Sequence, residues 1–191
     1  MKLIGKRSVA SVLRKALTGL WWTGIVMAGL LVVLAVVFLV FGLPKGMESP
    51  RFTLDANFLQ VEFNAVTIHH PKTLLLAFLP FGAAMIGLGM GILFQVRKIF
   101  ATLAAGNPFS LENANRMKKI GLLIFGCVAV ELVTGTVMGL LIMENVIVPG
   151  VRFSVKGGLD LGGIFFGLVM LILGEIFRQG ALLQQEQDLT I

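Results

Sequence analysis

The chain has 191 residues, 57% of them hydrophobic and 14% charged, with a mean hydropathy of +0.92. Soluble domains carry roughly 25% charged residues, so this composition belongs to a membrane protein. The net charge of +6 does not indicate a nucleic-acid surface, because no segment between the apolar runs is long enough to fold into a soluble domain with a basic face. The single cysteine, Cys127, excludes an internal disulfide and a thiol pair for metal.

In chain order, residues 3–20 come first. Val9, Val12, Leu13, Ala16, Leu17 and Leu20 recur at helical spacing, with Lys6, Arg7, Arg14 and Lys15 mostly on the rest of the surface. This pattern predicts an interfacial amphipathic helix leading into an uncharged run from 18 to 43. That run is too long for a signal-peptide core and no small-x-small site follows it, so it is expected to stay as the first span. Trp21 and Trp22 fall at its near end, where indole rings favour the membrane interface.

The loop over 44–72 alternates apolar and polar residues in RFTLDAN (51–57) and LQVEFNAV (59–66), and period two predicts two strands. VRFSVK (151–156), in the second loop over 144–160, repeats the pattern, with Gly157-Gly158 as a turn. Three such strands are expected to form a small extracytoplasmic sheet resting on the helices, since a lone hairpin is marginal in water. His69-His70 stands at the edge of this loop. Adjacent histidines project in different directions, and nothing fixes Glu48, Asp55 or Glu62 near them, so no metal site is expected.

Uncharged windows at 73–96, 120–143 and 161–177 supply three further spans, the last two with one acid each, Glu131 and Glu175. Gly87 and Gly91, Gly135 and Gly139, and Gly163 and Gly167 are spaced four apart on one face of spans two, three and four, which suits close helix packing. The packing partner lies in the same chain or in a second copy, so a homo-oligomer is one expected assembly. Glu131 lies about 17 Å along span three. A charge near mid-membrane costs at least ~2.5 kcal/mol, so this carboxyl is expected to face the bundle interior, protonated or partnered. Glu175 and Arg178 are three apart on a helix and are expected to pair.

Eleven Lys and Arg flank one side of the four spans, at 2, 6, 7, 14, 15, 97, 98, 116, 118, 119 and 178. Five lie on the other, at 45, 51, 72, 152 and 156. The positive-inside rule puts both termini and the loop 97–119 in the cytoplasm. In that loop a helical stripe ends at Gly106, Asn107-Pro108 turns the chain, and Ser110 caps a new helix, with Glu112 in its first turn and Asn113 three residues after the cap. The turn and the C-terminal tail leave the membrane on one face, so Arg116 or Lys118 is expected near Glu186 or Asp188. No phosphate loop, metalloprotease helix or serine elbow is present. The chain is therefore expected to be a non-enzyme without a cofactor.

GNPFSLENANRMKKIG (106–121) and EIFRQGALLQQEQDLTI (175–191) together resemble the bacterial membrane proteins grouped as domain-of-unknown-function family 2975. The similarity rests on Gly106, Pro108, Phe109, Ser110, Asn113 and Arg116 in the first stretch. In the second it rests on Glu175, Phe177, Arg178, Gly180, Glu186, Asp188, Leu189, Thr190 and Ile191. The longer basic N-terminal segment departs from the family pattern. The resemblance implies a four-span inner-membrane protein with no assigned activity, of a kind often encoded beside a small helix-turn-helix regulator.

The expected architecture is thus all-α: a four-transmembrane-helix bundle with an N-terminal amphipathic helix and a small outer β element, one membrane domain over 1–191. The leading functional expectation is a regulatory or sensory membrane protein that binds such a regulator. A small transporter or channel using Glu131 is the competing class, and a structural assembly protein is the third.

Overall fold

A computed structural model of the chain describes residues 9–42, 52–56, 59–63, 67–106, 108–147 and 158–188. It contains four long helices, α1 (Val9–Phe41), α2 (Pro71–Ala104), α3 (Leu111–Asn145) and α4 (Leu161–Asp188). All four are long and apolar enough to cross a membrane. At 28 to 35 residues they extend roughly 42 to 52 Å, more than the ~30 Å of hydrocarbon in a bilayer, so each runs beyond its apolar window. In the described part, the expected amphipathic segment and the first span are one helix from Val9 onward. Likewise α4 continues past Phe177 to Asp188.

The ends of the helices follow local chemistry. Gly42 (φ 79°) and Gly106 (φ 89°) adopt the left-handed backbone that side-chain-bearing residues avoid. Each accepts a helix exit, with Gly42 N–H donating to Phe38 O at 3.0 Å and Gly106 N–H to Leu103 O at 3.1 Å. Pro71 opens α2, where its missing N–H costs nothing.

The strands are short. β1 (Phe52–Ala56) and β2 (Leu59–Phe63) pair antiparallel, with Phe52 opposite Phe63, Leu54 opposite Val61 and Ala56 opposite Leu59. This register sets the alternating apolar positions against one another and the polar positions likewise, which is what the period-two pattern required. The third expected strand, 151–156, lies outside the described residues. A second pairing that the sequence did not suggest joins β3 (Thr67–Ile68) to β4 (Val146–Ile147). His69 N–H extends it by donating to Asn145 O at 2.8 Å.

The chain divides into two compact units. The first comprises Met1–Gly29, Ala84–Val130 and Leu159–Ile191, and the second Leu30–Ala83 and Glu131–Gly158. The second unit holds the strands and little buried side chain: among its described side chains only Ala35 and Asn145 are buried. Leu30, Val33, Val37, Val40 and Phe41 are exposed, as expected of a surface that lipid covers.

The first unit is built on a seam between α3 and α4. The buried residues of α4 are Gly167, Gly174 and Ala181, seven apart, and those of α3 include Ala114, Gly121 and Val128, also seven apart. A strict seven-residue repeat is the signature of left-handed supercoiled packing. Here small residues occupy it, so the backbones touch. A Cβ at Gly121 would lie 2.9 Å from Gly167 O, and one at Gly174 would lie 3.1 Å from Ala114 O. At the far end of the seam a Cβ at Gly163 would lie 2.6 Å from Val128 Cγ2.

Candidate functional site

The open end of this seam brings together described residues from both stretches, Phe109, Ser110, Asn113 and Arg116 from the first and Glu175, Phe177, Arg178 and Gly180 from the second. Ser110 Oγ accepts the Asn113 N–H at 3.2 Å, the N-cap geometry that the sequence implied. Phe109 stands one residue before the cap. Its ring lies 5.4 Å from that of Phe177, and a Cβ at Gly180 would come within 3.2 Å of it. The absence of a side chain at Gly180 thus leaves room for the Phe109 ring to cross α4. Phe109 remains 48% exposed, so half of this aromatic contact is available at the surface.

Asn113 is fully buried and holds the turn together. Its Nδ2 donates to Pro108 O at 3.0 Å, and its Oδ1 accepts from Thr102 Oγ1 at 2.8 Å and Arg116 Nη1 at 2.9 Å. Arg116 also donates to Lys98 O at 3.2 Å and pairs with Glu112 at 2.6 Å. Four chain segments, from α2, the turn, the cap and α3, are therefore fastened through one amide. A buried amide whose bonds are all made fixes geometry, whereas losing them is costly.

Beside this hub, Glu175 receives two cations. Arg178 Nη2 approaches Oε1 at 2.6 Å and Lys118 Nζ approaches Oε2 at 2.8 Å. The Glu175–Arg178 pair was legible from the spacing. Lys118 joins the same carboxylate because the seam sets Gly174 against Lys118: a Cβ there would lie 2.8 Å from Lys118 Cγ. The charges at this end are partly solvated, so they orient more than they stabilise. Glu186 is exposed in the last turns of α4, and Leu182 and Leu183 are exposed just before it. The side chain of Asp188 and residues 189–191 lie outside the described residues.

A family model described as "Protein of unknown function (DUF2975)" matches residues 55–191. This chain belongs to that family. No curated protein and no solved structure matches it. The matched region of this DUF2975 protein begins within β1, so α1 and its basic approach lie before it.

The other sequence-derived candidates are scattered. Glu131 is exposed. The α3–α4 seam ends at Val128, where α4 starts, and no described residue of α3 from Ala129 to Glu144 is buried. Of the paired glycines, Gly91 lies close to Leu123 (3.3 Å from a Cβ) and Gly167 close to Phe125 (3.1 Å), whereas Gly87 and Gly135 face open space. Gly139 is half-buried. Among the described residues no three His, Cys, Asp or Glu side chains come together as a metal site.

The sequence reading missed Asn113 as a hub, since its partner Thr102 lies on another helix. It also missed Gly121 and Gly174, which a search at spacing four does not find. Spacing seven would have shown them.

Proposed function

We propose that this DUF2975 protein is a non-enzymatic membrane regulatory protein whose α3–α4 end docks a small cytoplasmic helix-turn-helix regulator. The observation that carries this reading is the meeting of described residues from the two motif stretches at one end of the α3–α4 seam. Asn113, Arg116, Glu175 and Gly180 fix that end, while Phe109, Ile176, Leu182 and Leu183 stay exposed on it. A helix continued out of the membrane with an apolar stripe is a usual docking element for a partner helix. The distribution of Lys and Arg supports a cytoplasmic placement of this end and of both termini.

The activity is then sequestration: the regulator bound at the bilayer is withdrawn from DNA, and anything that rearranges the α3–α4 end releases it. The outer strands and the membrane-spanning helices are the parts available to sense conditions. A bacterial inner-membrane location follows from the family resemblance.

Co-purification in detergent with the adjacently encoded regulator tests the reading. Capture by the full chain is expected, with at least tenfold loss on Phe109→Ala or on truncation after Arg178. Capture that is undiminished in both variants moves the docking face elsewhere.

A further inference from the structure

The described residues at the motif end of the first unit carry eight cations: Arg14, Lys15, Arg97, Lys98, Arg116, Lys118, Lys119 and Arg178. Those on α3 and α4 are mostly matched, Arg116 by Glu112, and Lys118 and Arg178 by Glu175. The four on α1 and α2 have no acid partner among the described residues. Two of them are instead held over aromatic rings. The Arg97 guanidinium carbon lies 5.0 Å from the centroid of Trp21, and Lys98 Nζ lies 4.3 Å from that of Phe94. Trp21 itself packs on Phe94 at 6.3 Å and edge-on to Trp22 at 5.4 Å.

This arrangement has a specific chemistry. A cation–π contact orients Arg97 without using its N–H donors, and no hydrogen bond from that side chain is made within the described residues. Indole rings mark the depth of the membrane interface, so Arg97, held over Trp21, stands at headgroup level, with its neighbour Lys98 over Phe94. Arg14 and Lys15 lie six to seven residues before Trp21, about 10 Å further out along the helix, and both are exposed. A planar guanidinium and a flexible ammonium at that depth fit a phosphodiester oxygen pair that carries net negative charge.

We infer that the α1–α2 end is a binding site for the headgroup of an anionic phospholipid, with Arg97 and Lys98 as the phosphate contacts and Trp21 and Phe94 as their respective supports. Zwitterionic lipid lacks the net charge that the unmatched cations favour, and each cation near the surface contributes up to about fivefold in preference.

Trp21 and Trp22 are the two tryptophans of the chain, so their fluorescence reads the site directly. The full chain is reconstituted in mixed vesicles carrying either dibrominated phosphatidylglycerol or dibrominated phosphatidylcholine at equal mole fraction, and quenching by the two is compared. Selectivity for phosphatidylglycerol of about three- to tenfold is expected. It should fall to near one in Arg97→Gln/Lys98→Gln, persist in Arg97→Lys and in Lys119→Gln, and survive millimolar inorganic phosphate.

Equal quenching by the two lipids in the unaltered chain overturns the inference. So does selectivity retained in the double variant, and loss of selectivity to free phosphate shows a soluble-anion site in place of a lipid one. Should the double variant not fold, 0.5 M salt on the unaltered chain decides, because a charge-borne preference collapses there and one that persists refutes the site.

Discussion

The α3–α4 end and the α1–α2 end belong to one compact unit, yet they are built on opposite rules. On α3 and α4 the seam positions are mostly small, the backbones meet, and Arg116, Lys118 and Arg178 are matched by acids within the protein. On α1 large apolar side chains such as Val12, Leu20 and Trp22 are exposed, and the cations of α1 and α2 are left unmatched. The first end is a preformed, self-sufficient surface, the form suited to recognition by another protein. The second is complete only with lipid around it. The difference teaches that in a chain this apolar the informative residues are the small and polar ones that exclude lipid, since apolar bulk alone is as satisfied by acyl chains as by protein.

The largest effect should come from closing the seam with a side chain. Gly121→Val places atoms against the Gly167 carbonyl, where backbone cannot yield. A loss of at least ~1–3 kcal/mol is expected, seen as poor recovery of monodisperse protein in detergent. Gly135→Val, facing open space, should be recovered normally, and equal damage from both would dissolve the contrast between seam and lipid surface.

Next in size is Asn113→Ala. It strips Arg116 and Thr102 of a shared acceptor and the turn of its tie to Pro108. A cost of roughly 1–3 kcal/mol is expected, read as a lowered thermal transition in detergent. An unshifted transition would mean that the turn is held by the seam alone.

How much of this was legible in the sequence depends on range. The helix stop at Gly106, the Ser110 cap and the Glu175–Arg178 pair are fixed by neighbours within a few residues, and their chemistry is visible in the string. The four spans are legible because twenty apolar residues admit few other readings. Asn113 was legible as the residue three after the cap but not as a hub, because its partner Thr102 comes from another helix. The contact of Phe109 with Phe177, 68 residues on by number, leaves no local signal either. The pairing of β3 with β4 joins residues on either side of two helices, and two-residue strands leave no periodicity to detect. Glu131 was expected inside because depth was known and direction was not; the seam that would have settled its direction ends at Val128.

A smaller effect is expected at the ion pairs. Glu175→Gln should weaken the α3–α4 end slightly at low salt and indistinguishably from the parent at 1 M salt, measured by thermal unfolding, because these groups are partly solvated. A loss that is equally large at high salt would point to a role in shape and not in charge. Smallest of all, Glu131→Gln should leave folding and ion flux in vesicles unaltered. A change in flux would restore the transporter reading and place function on the surface that the comparison assigns to lipid.

The central claim is that the exposed residues of the motif end are what a partner meets. A photo-crosslinking amino acid at Leu183, 61% exposed on the α4 extension, and one at Val36, 52% exposed on α1, tests it directly in cells that express the helix-turn-helix regulator proposed as the partner. The account predicts a crosslink to that regulator from position 183 and none from position 36. Crosslinking from both positions, or from neither, would contradict it.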